Sequence, residues 1–323
     1  MYQNNKKHTK QKIKMKTVRE DHRQTDQVIH YKIGGYLLRI ILPSALDLKN
    51  YLPSFTDFSE ENLAQSAPDI QINVQQDNFP DCPSDGKMLT DKEGEFGQRF
   101  VINELQETYL TTIFNTTRAV EWQMISSKDF SQSTIYMTQE VESLSIFSWL
   151  IKLAFGQAVI FKKGMLVHAS VIALGNLGIV FLDENGNGIH GQQWLRQIPG
   201  SRLLNDDNPL IQIGQQGDVS IHATPWGGNS SCYIPDQKQL KVLVRLKKGL
   251  VNQLTWVAGK EAFIALIPSV VVLRWNRVAY NLMLDSLEYI LGQVDLGIYS
   301  CLPNAEAATY CYQEIIKNKK QMK

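Results

Sequence analysis

Cysteine is scarce in this chain, and the four that occur, Cys82, Cys232, Cys301 and Cys311, fall in no Cys-x-x-Cys spacing. That excludes a zinc or redox motif legible from spacing, and a reducing, cytoplasmic setting is the natural fit. An excess of either charge is also missing. A net charge of +1 over 323 residues gives the whole chain no electrostatic case for nucleic acid or an anionic membrane. Long unbroken apolar runs are missing too. The most apolar helical stretch, Leu144 to Phe161, is interrupted by Lys152 and closed by Lys162-Lys163, so it reads as a buried helix and not a membrane span. The first 26 residues lack the apolar centre of a signal peptide, which argues against export. They carry Lys6, Lys7, Lys10, Lys12, Lys14, Lys16, Arg19 and Arg23 among few apolar residues, and read as a disordered basic tail.

What is present is enough apolar sequence, 43%, for a real core in one large domain or in a small one plus a larger one. Residues 31–40 read as a hairpin turning at Gly34-Gly35. Asp69 to Gln75 alternates as a half-buried strand, and 76–95 reads as a long loop. Short strands are expected at Arg99–Asn103, Tyr109–Phe114 and Ser133–Met137. After the Leu144 helix, strands are expected at Leu166–Leu174, Gly178–Leu182, Arg202–Leu204, Leu210–Ile213, Val219–His222 and Lys241–Leu246. Helices are expected at Gln192–Gln197, Lys260–Leu266, Tyr280–Leu291 and Ala305–Asn318. The pattern is α+β. A basic tail (1–26) leads into a small β-rich N-terminal domain (27–140). A mixed-sheet domain with flanking helices (141–318) and a short basic tail (319–323) follow.

The segment with most chemistry runs from Gly178 to Asp207. An apolar strand, Gly178-Ile179-Val180-Phe181-Leu182, enters a Gly-rich turn, a helix-like stretch follows, and then comes the acidic pair Asp206-Asp207. That is the layout of a phosphate-binding strand–loop–helix with an acidic strand end that could hold a metal. Gly186 and Gly188 occupy the places of the loop's last glycines. Ile189 stands where a lysine should reach the outer phosphates, and no Ser or Thr follows to hold Mg²⁺. Asp183 and Glu184 put negative charge where phosphates would arrive. Loss of the lysine and the hydroxyl together weakens binding by about 3–5 kcal/mol, on the order of a hundred- to several-thousand-fold. Asp183-x-Asn185-x-Asn187-Gly188 also matches half of a calcium loop, but Trp194 stands where its bidentate Glu belongs. A plain Asn-Gly turn between strand and helix accounts for the same residues.

Residues 164–246 resemble the C-terminal domain of HPr kinase/phosphorylase, whose nucleotide-binding core is shared with ATP-dependent phosphoenolpyruvate carboxykinases. The resemblance rests on Val167-His168-Ala169-Ser170, on Gly186, Gly188, His190, Trp194 and Ile198-Pro199-Gly200, and on the run Leu203 to Pro209. The segment Pro225-Trp226-Gly227-Gly228 and the string Cys301 to Ala307 add to it. Two residues are missing around the Lys-Ser of the loop. Asn229 and Ile234 replace a lysine and an arginine of the Pro-Trp segment.

The resemblance implies a phosphoryl-transfer site built from His168 with Asp206 or Asp207, the acidic pair holding Mg²⁺ or acting as base. It implies a phosphate loop at Gly186, Gly188 and His190. Every cation it would place against phosphate is neutral here. Three functions are therefore weighed. The first is a degenerate kinase-like protein with impaired ATP binding and no needed cofactor, acting on a protein or peptide partner. The second is an active serine kinase using ATP and Mg²⁺. The third is a carboxykinase-like enzyme, ranked last because those enzymes are longer and need several basic residues.

Overall fold

The computed structural model describes residues 26–63, 66–76, 79–80, 86–93, 98–138, 144–182, 196–228, 234–302, 304 and 306–321. It is an α+β fold with a β-rich N-terminal half and a mixed-sheet, helix-flanked C-terminal half.

The first half opens with β1 (Asp26–Ile33) and β2 (Tyr36–Pro43), an antiparallel hairpin in full register. Gly34 and Gly35 make its turn at φ of 57° and 82°, a region that costs glycine least. α1 (Leu48–Tyr51) and a 3-10 turn (Pro53–Phe58) drop Phe55 and Phe58 into the core. Then come β3 (Ile70–Gln76), β4 (Lys87–Glu93), β5 (Arg99–Glu104), β6 (Thr108–Phe114), β7 (Val120–Ser127) and β8 (Gln132–Met137). Among the described residues these form one eight-stranded sheet, in the order β1-β2-β3-β8-β7-β6-β5-β4. The β2–β3 and β3–β8 pairs are parallel. In β3 the alternation works as expected: Ile70, Ile72 and Val74 are buried, and the residues between them are not.

α2 (Leu144–Ala158) links the halves and runs into a 3-10 turn (Val159–Lys162). By length and composition Ser145–Lys162 could cross a membrane, but 67% of it is buried inside the fold. Its aromatic residues touch both halves. Phe147 stacks on Trp122 of β7, with ring centroids 5.9 Å apart. Phe155 meets Tyr36 of β2 at 6.3 Å and Trp226 of the second half at 5.2 Å.

The second sheet holds β9 (Gly164–Leu166), β10 (Ser170–Leu174), β11 (Leu177–Leu182), β12 (Ser201–Asn205), β13 (Leu210–Ile213), β14 (Val219–His222), β15 (Gln237–Lys248), β16 (Gln253–Val257) and β17 (Asp295–Cys301). Its central strand, β15, is parallel to β11 and β17 and antiparallel to β14. β15 is buried continuously from Val242 to Leu246, as a strand covered on both faces must be. α3 (Gly259–Leu266), α4 (Arg277–Leu291) and α5 (Glu306–Gln321) flank it. α4 starts where the Asn276 side chain accepts from the Ala279 N–H at 3.2 Å, and it buries Ala279, Met283, Leu287 and Ile290 along one stripe.

Several expectations need correction. The presumed loop 76–95 contains β4, whose polar residues hide an edge strand. β7, β16 and β17 were not foreseen. The apolar run Leu166–Leu174 is two strands, broken around His168. Of the helix expected at 192–197, only Arg196 and Gln197 lie within the described residues.

Candidate functional site

Strand register gathers three separate motifs at one sheet edge. Ser170, at the start of β10, faces Phe181 near the end of β11, and Val171 faces Asn205 at the end of β12. His168 therefore lies two residues before this edge, and Asp206-Asp207 lies immediately after it. β11 ends at the same edge with Leu182. Gly186, Gly188, His190 and Trp194 lie outside the described residues, as do Asn229 and Cys232.

Residues 167–169 are clamped on both sides. Val167 N–H donates to the Pro209 carbonyl and Ala169 N–H to the Asp207 carbonyl, both at 3.0 Å. Between them, His168 N–H points the other way and donates to the Ser269 carbonyl at 2.7 Å. The His168 ring meets Asp207. Its Nδ1 lies 3.0 Å from Asp207 Oδ1. The ring keeps 46% of its surface open to solvent.

A buried polar frame fixes the carboxylates. Asn205 Oδ1 accepts from the Asp207 N–H at 3.0 Å, and its amide donates to the Thr224 and Trp226 carbonyls at 3.2 and 3.5 Å. Thr224 Oγ1 donates to the Asn208 carbonyl at 2.7 Å, and Asn208 N–H donates to the Trp226 carbonyl at 3.2 Å. Asp206 Oδ1 accepts from the Gly228 N–H at 2.6 Å. The two neighbouring carboxylates thus serve different partners.

Burial pushes the Asp207 carboxyl up. The His168 hydrogen bond, the charge of Lys152 and a hydrogen bond from Asn208 outweigh burial, and the group is held below the ordinary carboxylate range. With Asp207 ionised, Nδ1 carries the proton and donates, so Nε2 is left as the basic nitrogen. That arrangement can take a proton from a hydroxyl. Among the described residues, no three His, Cys, Asp or Glu side chains gather as a metal site.

Sequence reading missed several members of this assembly. Lys152 served only as an interruption of an apolar helix, yet its charge reaches Asp207. Asn205 stood inside the run Leu203 to Pro209 but was given no role, and Thr224 and Ser269 are ordinary residue types with no motif of their own. Arg245 carried a signal that could have been read, because a cation inside the apolar run Val242–Leu246 has to be accounted for. It pairs in register with Leu182, the last strand residue before the glycine segment.

No family model matches the chain, and no curated protein does. Among solved structures, the chain is similar to the Hpr(Ser) kinase/phosphatase from Coxiella burnetii, at 10% identity and a TM-score of 0.30. The match covers 49% of this chain and 92% of that one. It is a distant and partial likeness, and no functional residue is carried over from it.

Proposed function

We propose that this chain is a degenerate HPr-kinase-like protein of the cytoplasm, a phosphotransferase-type scaffold with impaired ATP binding that acts on a protein or peptide partner. One observation carries the reading: the phosphate-facing cations are missing from a sequence whose acid–base frame is intact. Ile189, Asn229 and Ile234 stand at the three positions where the resemblance places lysine or arginine. Between Asp183 and Gly200 there is no lysine, serine or threonine. The frame around Asp207, by contrast, is held by hydrogen bonds from three segments. A scaffold kept in this form supports a role that needs its shape more than its triphosphate site.

A second reading, an active ATP-dependent serine kinase, is favoured by one contact. The His168–Asp207 pair is what a general base needs in order to accept a hydroxyl proton. Asp206 and Asp207, as hard oxygen donors, would hold Mg²⁺, which would supply neutralisation of phosphate charge. The carboxykinase reading gains nothing from the site.

Calorimetric titration with ATP and Mg²⁺ separates these readings. The unmodified chain is expected to bind in the millimolar range or not at all. Rebuilding the loop with Asn187→Thr followed by Gly-Lys-Ser-Thr, together with Asp183→Gly and Glu184→Lys, is expected to tighten binding by about two to three decades. Micromolar ATP binding by the unmodified chain, with phosphate transfer to serine that Asp207→Asn abolishes, would sink the degenerate reading.

A further inference from the structure

Arg245 is a charged side chain in the wrong place for a surface role. It is 5% exposed, inside the central strand β15. Burying a guanidinium is costly unless its donors are satisfied. Nε and Nη2 both donate to the Ala265 carbonyl, at 2.8 and 2.5 Å. Ala265 lies in the last turn of α3, where the helix dipole presents its negative end. Nη2 also donates to the Ser269 hydroxyl at 2.8 Å. Ser269 is itself buried, in the short 3-10 turn Ile267–Ser269 that follows α3. Its carbonyl is the acceptor for His168 N–H.

These contacts form one continuous connection. Arg245 pins the end of α3 and the hydroxyl of Ser269, and the backbone of Ser269 pins the backbone of His168. Two further ties hold the same segment. Val271 N–H donates to the Leu166 carbonyl at 3.0 Å, completing the bridge between Val167 and Val270, and the buried Gln157 accepts from the Leu273 N–H at 3.0 Å. The Arg245 tie reaches the side chain of Ser269, the residue whose carbonyl accepts from His168. Arg245 has too little exposed surface to meet a ligand, and Ser269 connects it to His168.

We propose that Arg245 is a positioning residue: through Ser269 it sets the backbone posture of His168 that lets the imidazole meet Asp207. The proposal rests on the functional reading above only in taking His168 as the working residue. A lysine at 245 would keep the charge but lose the forked donation to two acceptors.

The test is nitrogen-resolved NMR of the His168 ring in the full chain without nucleotide, at mildly alkaline pH where free imidazole is neutral. The native protein is expected to show one protonated and one bare ring nitrogen, the mark of Nδ1–H held on Asp207. In Arg245→Met and in Ser269→Ala, the two signals are expected to converge as the tautomers mix. Arg245→Lys is expected not to restore the asymmetry. Leu254→Ala, a core truncation on β16, lowers stability and is expected to leave the asymmetry intact. Should Arg245→Met fail to fold, Ser269→Ala carries the test alone. A folded Arg245→Met or Ser269→Ala with the native signature overturns the proposal. So does a native ring with no asymmetry, or its loss in Leu254→Ala. None of these outcomes depends on whether ATP binds, so failure here and failure of the nucleotide reading are told apart.

Discussion

His222, on β14, is buried, with Nε2 2.8 Å from the Ser220 hydroxyl. Burial, partly opposed by Asp218, pushes its pKa from 6.5 down to about 4. Folding therefore favours the neutral ring. Its contribution to stability is fully present above about pH 6.5 and is lost as pH falls toward about 4, because the unfolded chain takes the proton first. From about pH 7 to about pH 5 the loss comes to about 2 kcal/mol. Urea unfolding at both pH values is expected to show this drop in the native chain and a flatter response in His222→Gln. An equal drop in both proteins would remove His222 as the cause. At this scale the sequence was informative for residues inside motifs and silent for those acting by burial. His168, Asp206 and Asp207 could be named because their types and order are unusual. His222 could not, because its desolvation depends on strands far apart in the chain, and Arg245 announced only that it needed partners, not which ones.

Among elements, the segment 224–228 does more than the turn-and-packing role its glycines suggest. Trp226 is buried, and its indole N–H donates to the Ser148 carbonyl of α2 at 3.3 Å. Its ring meets Phe55 edge-on at 5.5 Å and Phe155 at 5.2 Å. Its carbonyl accepts from Asn205 and Asn208. One residue thus joins the first half, the connecting helix and the frame of the acidic pair. Trp226→Ala is expected to cost about 3–5 kcal/mol in denaturant unfolding. Amide exchange at Asn208 is expected to speed up more than exchange within β6. Uniform acceleration at both places would mean that Trp226 supports the fold without any special hold on the site. Element types with strong periodicity were legible: α2, α4, β3 and β15 follow from their apolar spacing. β4 was not, because an edge strand such as Lys87–Glu93 has no buried face to show. The division of Leu166–Leu174 was not legible either, since an apolar run does not reveal where its hydrogen bonds change partner.

For the molecule as a whole, one apolar cluster spans both sheets. It runs from Ile40 and Ile72 in the first, through Phe147 and Phe155 of α2, to Leu182, Leu210 and Leu243 in the second. Tyr36 adds a polar tie, donating to the Lys162 carbonyl at 2.8 Å. Calorimetry is expected to give a single unfolding transition, with calorimetric and van't Hoff enthalpies equal. Two resolved transitions would show that the halves melt independently. The placement of β15 bears on how such a molecule is made. Leu177 pairs with Gln239, and Val242 with Asp295, so each parallel pairing must close a long stretch of chain before it gains anything. Contacts so distant in sequence make folding slow, in the range of milliseconds to seconds typical of high contact order. During synthesis, β15 emerges with β11 already waiting on one flank. Its other flank is met by β14 only at Gln237–Gln239, and from Val242 onward stays open until Asp295–Cys301 has left the ribosome. In that interval the growing chain presents a half-paired strand whose central stretch, Val242–Leu246, is apolar except for Arg245, which is when it is most exposed to aggregation and to capture by chaperones.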